Sequence, residues 1–292
     1  MKKRISIVLL FGLLMVLVLR LCLINNNIEE SDPTNSLWNS NTSVQWLAKM
    51  ENDMIKKKIL SDEKRMNYME MYPDLYVESI KPVIHVEEIK TAYLSFDDGP
   101  SSTTCDILTV LDKYDAKATF FVLGCTITEE GEACLKAMVE QGHAIGIHTF
   151  SHDHKKIYLS VAAYLDDFYQ DYNLIYEITG VKVNIFRFPW GSTTSYNKSI
   201  REELVTEMER RGFTYYDWNV SAEDSVGKPT GYGIKKNIMK DLERFTGPII
   251  LMHDSSINKL TAKTLPEILE MMIEKGYGFG TLDQREPYQF RK

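Results

Sequence analysis

From about residue 82 onward, short apolar runs alternate with longer stretches whose apolar residues recur at helical spacing. The apolar runs at 91–96, 118–123, 144–148, 183–188, 213–219, 248–252 and 277–282 read as strands. Between them, 103–114, 129–141, 160–179, 195–211, 232–244 and 261–275 read as helices. Gly142, Gly180, Gly212 and Gly276 stand just past four of these, where a left-handed C-cap favours glycine. Strands alternating with helices imply a parallel α/β arrangement. The pattern alone does not separate a closed barrel from an open sheet.

The preceding residues follow a different pattern. Residues 44–71, rich in Lys, Glu, Met and Leu, read as a helical stalk within a polar linker covering 25–81. Residues 1–24 open with Lys2, Lys3 and Arg4, followed by an uncharged apolar run that only Arg20 interrupts. Its length matches a hydrocarbon core, and basic residues at its start would stay on the cytoplasmic side. The expectation is an uncleaved single-pass anchor with residues 82–292 outside the cell. A cleaved signal peptide is the alternative, but no small-x-small site follows the run.

Composition limits the choice of partners. The net charge is −7, and no basic stripe with interleaved aromatics occurs, which argues against nucleic acid. Lys56, Lys57 and Lys58 read as the wet face of a helix. In an oxidising compartment Cys125 and Cys134 could close a short disulfide loop, with free buried thiols as the alternative.

Polar residues able to do chemistry gather at the C-terminal ends of the expected strands, the rim on which barrel enzymes build their sites. "YLSFDDGP" ends a strand in the adjacent carboxylates Asp97 and Asp98, whose mutual repulsion a cation would offset. "HTFSHDH" places His148 and His152 four apart, so one helical turn would bring both rings to one side. With one carboxylate they make a donor set for zinc or a similar divalent ion. His154 is expected to face solvent, and His143 and His85 to be structural or exposed. "RFPWGS" offers Arg187 to clamp a carboxylate, Pro189 to shape a turn, and Trp190 as a flat face for a sugar ring. Asp217, Asp224 and His253 complete the rim, and His253 could deliver a proton if an Asp oriented its ring.

In this order, "SFDDGP", "HTFSH", "RFPWG", "SAEDS" and "ILMH" resemble the five motifs of the polysaccharide deacetylase family, the NodB-homology group of carbohydrate esterases (family four). The resemblance covers about residues 81–282. It implies a distorted (β/α) barrel of about seven parallel strands and metal-dependent removal of N-acetyl groups from amino sugars. It assigns Asp97 as general base, and Asp98, His148 and His152 as holders of one divalent ion (zinc first, with cobalt, nickel or manganese as alternatives). Arg187 would position Asp97, Asp224 would tune the general acid His253, and the Trp190 N–H would meet the developing oxyanion. Pro189, Trp190 and Trp218 would line the substrate site. The chain departs from the pattern at Ser225, where the family usually carries Trp, and at Ile250, where it usually carries Leu.

With a membrane anchor ahead of it, such a domain would act on an extracellular glycan, peptidoglycan N-acetylglucosamine first; N-acetylmuramic acid, chitin and exopolysaccharide remain open. Three other readings compete. A carbohydrate-binding scaffold would have kept the fold and lost the chemistry. A two-metal phosphoesterase would need further ligands and basic residues. A zinc peptidase lacks its His-Glu-x-x-His.

Overall fold

The structure, a computed structural model, describes residues 40–79 and 90–290. The expected membrane segment at 1–24 and His85 lie outside these residues. Among the described residues no helix is long and apolar enough to cross a membrane.

The chain divides into two compact units, 1–63 and 64–292. The described part of the first is helix α1 (Ser40–Glu70), which continues into the second. Residues 46–60 of α1 are exposed throughout.

Among the described residues, the second unit carries eight parallel strands: β1 (Lys90–Gly99), β2 (Ala118–Val122), β3 (Ala144–Ile147), β4 (Ile185–Phe186), β5 (Thr214–Tyr215), β6 (Val220–Ser221), β7 (Ile249–His253) and β8 (Tyr277–Phe279). Their order is β5-β4-β3-β2-β1-β7-β6, with β8 pairing the first residues of β1. Helices α2 (Ser102–Lys113), α3 (Glu129–Glu140), α4 (His154–Ile157), α5 (Val161–Thr179), α6 (Arg201–Arg210), α7 (Gly231–Leu242) and α8 (Lys259–Glu274) connect them.

One expected strand, 213–219, is in fact two. β5 pairs β4, whereas β6 lies at the opposite end of the sheet beside β7. The intervening backbone bridges both edges: Tyr216 N–H donates to Phe186 O, and Asn219 N–H to Ile249 O. The ring is therefore closed by an irregular segment rather than a ladder, which makes it a distorted barrel. The expected helix 195–211 begins only at Arg201. Ahead of it Asn197 is fully buried and donates to Ser192 O, while Arg201 bonds Asn197 Oδ1 and Thr194 O. These bonds hold 192–200 as turns.

Two apolar layers sit on either side of the strands. Alternation along β1 sends Leu94 and Phe96 toward the helices, where they join Phe120, Leu135, Phe168 and Leu265. Phe121, Ile185, Tyr216, Ile249 and Leu282 fill the barrel interior. Residues 68–77, assigned above to the linker, pack on this unit. Tyr68 and Leu75 are buried, and the fully buried Arg211 donates to the carbonyls of Tyr68, Met71, Tyr72 and Leu75. Glu207 neutralises that guanidinium at 2.7 Å. Gly212 serves this docking as well as capping α6: at φ 90, a Cβ there would meet Val77 O at 2.0 Å.

The disulfide differs from the expected pair. Cys105 on α2 bonds Cys134 on α3, with Cα atoms 5.8 Å apart, and Cys125 is free. Adjacent helices bring the first two together, whereas Cys125 lies in the 3-10 turn Gly124–Thr126, its N–H donating to Phe150 O. Non-reducing peptide mapping should recover Cys105 joined to Cys134 and Cys125 alkylated. With the cysteines 29 positions apart in sequence, reduction should lower the unfolding free energy in urea by about 3.6 kcal/mol.

Candidate active site

A regular strand points successive side chains to opposite faces, so Asp97 and Asp98 should not share one site. A bulge resolves this. The register of β1 against β2 shifts between Asp97 and Gly99, and Asp98 takes a positive φ of 77°. Asp97 keeps the inward direction of Ser95, and Asp98 is turned back to the same rim. Gly99 follows because the Asp254 carboxylate occupies the space a Cβ would need, 2.1 Å away. Asp254 is fully buried and takes the Thr104 hydroxyl at 2.6 Å. Desolvation, which outweighs that bond, together with Asp98 and Asp97 raises its pKa to about 7.

His148 and His152 do reach one side, though not through a helical turn. Thr149 and His152 have φ of 77° and 51°, and the intervening Phe150 and Ser151 N–H groups both donate to Asp167 Oδ1, at 2.7 and 2.9 Å. Asp167 is buried on α5, and Lys156 lies 3.0 Å from its other oxygen. The two rings stand with centroids 5.2 Å apart. His148 Nδ1 pairs with Arg187 O at 2.9 Å, which turns its Nε2 inward. His148 Nε2 and His152 Nε2 are each 3.6 Å from Asp98 Oδ1. Burial, then repulsion from His148, lowers the His152 pKa to about 4 and favours a neutral ring.

These three donors suit a divalent cation. Their ligand atoms all lie within 4.8 Å of one another. Asp98 Oδ1 is buried with no hydrogen-bond partner among the described residues, an unfavourable state for an oxygen unless a cation meets it. A mixed nitrogen and oxygen set matches zinc and its neighbours better than magnesium or calcium.

Arg187 is fully buried at the top of the barrel, 4.2 Å above the Phe121 ring. It holds Asp97 by a single bond, Nη1 to Oδ1 at 2.8 Å. Its other donors go to Ser95 Oγ, Tyr216 O and Asp217 O. Asp97 Oδ2 thus faces the site, 3.8 Å from His148 Nε2. Across the sheet, Asp97 is the register partner of His253. His253 Nδ1 pairs with Asp224 Oδ1 at 2.8 Å, and Asp224 Oδ2 accepts the His253 N–H and the Thr261 hydroxyl. Burial opposes a charge on His253, yet the bond and charge of Asp224, with Asp97 and Asp98, prevail and raise it to about 9.

The remaining expected residues divide by role. Trp190 is 41% exposed at φ 61° beside His152, ring centroids 4.2 Å apart. Pro189 is buried and gives its carbonyl to Tyr158. Trp218 is half-buried, edge-on to Phe290 and below Arg187. Asp217 stands apart from the ligand group. It accepts Ser192 N–H, Ser192 Oγ and Phe290 N–H, binding the 189–192 turn to the C-terminal segment. His154 is half-buried among aromatic rings rather than solvent-facing, and His143 is structural, accepting Ala118 N–H on β2. Neither Asp167 nor Thr261 stands in a motif that marks it for the site. Asp254, directly after His253, was open to notice.

Comparison with known proteins agrees with this geometry. The family model "Polysaccharide deacetylase" matches residues 86–214. The chain is 32% identical over 217 residues to YheN of Bacillus subtilis, covering 72% of this chain and 73% of that protein. It is 32% identical over 202 residues to a peptidoglycan-N-acetylglucosamine deacetylase of Bacillus cereus, covering 66% of this chain and 69% of the other. This chain belongs to the polysaccharide deacetylase family. Among solved structures, the catalytic domain of a peptidoglycan N-acetylglucosamine deacetylase from Eubacterium rectale superposes with a TM-score of 0.66 at 31% identity. That match covers 75% of this chain and 98% of the other.

Removing one of three donors should abolish tight ion binding. Zinc should raise the melting temperature of the wild-type protein, because an ion that binds only the folded state stabilises it. In Asp98→Ala that rise should be lost, as read by thermal scans with and without chelator.

Proposed function

We propose that this polysaccharide deacetylase family member hydrolyses N-acetyl groups on peptidoglycan N-acetylglucosamine outside the cell. The observation that carries this reading is the placement of two proton carriers of opposite kind on adjacent strands. Asp97, bonded to Arg187, and His253, bonded to Asp224, are register partners beside the Asp98–His148–His152 donor group. The substrate named for the Bacillus cereus and Eubacterium rectale proteins favours the glycan strand as target.

An amide resists hydrolysis because its carbonyl is a weak electrophile and its amine leaves poorly without a proton. A divalent ion held by Asp98, His148 and His152, zinc by preference, would supply Lewis-acid polarisation of the carbonyl and of the attacking water. Asp97 Oδ2 accepts the water's proton as the C–O bond forms. The Trp190 N–H, on a turn fixed by Asp217 and Tyr158, donates to the carbonyl oxygen as its charge grows. His253, kept protonated by Asp224, passes its proton to the sugar nitrogen as the C–N bond breaks. The products are acetate and the free amino sugar. The basic and apolar residues at 1–24 would hold this chemistry at the outer face of the membrane.

The direct test is mass spectrometry of peptidoglycan fragments after incubation, with N-acetylglucosamine expected to lose its acetyl group and N-acetylmuramic acid to keep it. Chelator should stop acetate release. Asp97→Asn should still bind zinc but lose about 10²–10⁴-fold in kcat, the range of general acid–base catalysis. Full activity in that variant would remove Asp97 from its role. Ser225, in place of the family's Trp, is the one feature favouring a binding-only scaffold; unchanged fragments from a zinc-loaded protein would establish that alternative.

The pH profile tests the acid. His253 is raised from 6.5 to about 9, so it keeps its proton through neutral pH and loses it as pH rises through about 9. The stability it lends through Asp224 is complete below about 6.5 and fades over the same rise. The alkaline limb of kcat should therefore lie near 9 and move to lower pH in Asp224→Asn. A limb unmoved by that change would exclude His253 as the donor.

A further inference from the structure

Beyond the metal donors, rings run outward from His152 across the surface. Trp190 lies 4.2 Å from His152 and is followed by His154 at 5.5 Å and Tyr196 at 5.2 Å; His154 and Tyr196 are 4.3 Å apart. Trp190 and Tyr196 are 41% and 46% exposed, an unfavourable amount of aromatic surface to leave in water unless something covers it. The loop carrying Tyr196 is firmly held. Buried Asn197, next to it, donates to Ser192 O, and Arg201 joins Asn197 Oδ1 to Thr194 O. At the other end of the wall, Asp153 caps the short helix that begins at His154, and Tyr158 fixes the Pro189 carbonyl. Rigid aromatic rings, only half covered and continuous with the donor group, are suited to stacking against the apolar C–H faces of a sugar ring.

We propose that Trp190, His154 and Tyr196 form a subsite for the sugar adjacent to the one being deacetylated, which makes the protein selective for glycan strands over the single sugar. This rests on the deacetylase reading and adds to it the length of the substrate and two residues outside the family motifs. An adjacent unit held by the wall contributes binding energy without touching the reacting acetamide. It therefore acts on KM for long substrates and leaves the chemical step alone.

The experiment uses the zinc-loaded full chain with N-acetylglucosamine itself and a chitin oligomer of five units. Tyr196→Ala should raise KM for the pentamer about five- to tenfold, the range that one aromatic stacking contact supplies, with kcat unchanged. For the single sugar, kcat/KM should stay within about twofold of wild type, and Tyr196→Phe should restore the pentamer KM. Calorimetric binding of the pentamer to the Asp97→Asn protein should weaken by the same factor when Tyr196→Ala is added. Equal losses on the single sugar and the pentamer, or no loss on either, would overturn the subsite. If the glycan binds and Tyr196→Ala weakens it while wild type releases no acetate, the subsite stands and the deacetylase reading fails.

Discussion

Two carboxylates on consecutive residues of one strand must serve one site, and much of the local structure follows from that constraint. The bulge at Asp98 brings both to the same rim, and the resulting repulsion is divided between two partners. Asp97 is matched by a guanidinium with no exposure to water. Among the described residues, Asp98 has only the imidazoles of His148 and His152 within reach, so its charge calls for a cation. Burying Arg187 on top of Phe121 is tolerable because Asp97 neutralises it and its remaining donors are satisfied by Ser95, Tyr216 and Asp217. Removing any one of these acceptors leaves buried charge behind, which is why the barrel's open seam at 216–219 carries two of them.

The same logic extends to the loops. Three loops that present candidate site residues are held from beneath by a buried acid: Asp254 under Gly99, Asp167 under Phe150 and Ser151, Asp217 under Ser192. Backbone N–H groups that no ladder can serve are met in this way. Several residues in these loops stand at positive φ, among them Asp98, Thr149, His152 and Trp190. Such conformations are unfavourable for residues with a Cβ and persist when surrounding bonds over-determine them. Asp171, one helical turn past Asp167, is fully buried, and desolvation followed by the charge of Asp167 raises its pKa well above the usual carboxylate range.

The pattern of apolar runs was enough to place the strands because parallel strands are buried on both faces and stand out against amphipathic helices. It failed where polar tertiary bonds outrank local preference. Residues 213–219 read as one strand because their composition is continuous, yet Tyr216 and Asn219 bond opposite edges of the sheet. Residues 195–200 have helical character, but buried Asn197 and Arg201 fix them as turns. The donor group was legible because Asp98, His148 and His152 lie in dense local motifs. The bracing acids were not, since Asp167 sits in an ordinary helix pattern and only the fold brings it under the histidine loop. The disulfide was misread for a similar reason: sequence proximity favoured Cys125, whereas helix packing favours Cys105.

Ser225 shows how the site can lose an aromatic residue and remain ordered. Its hydroxyl accepts Asn258 Nδ2 at 2.8 Å, and the same amide reaches Asp224 O. Asn258 is itself buried and bonded to Ser255, and Thr261, on the following helix, holds the Asp224 carboxylate. A tryptophan at 225 would wall the cleft with a ring; a serine there instead pins the backbone that carries Asp224. The change moves aromatic surface away from the His253 side of the site. On the opposite side the rings of Trp190, His154 and Tyr196 extend from His152. In the proposed reading, contact with the glycan would then be weighted toward the side of the Asp98–His148–His152 group, with the His253 side left to orient a proton.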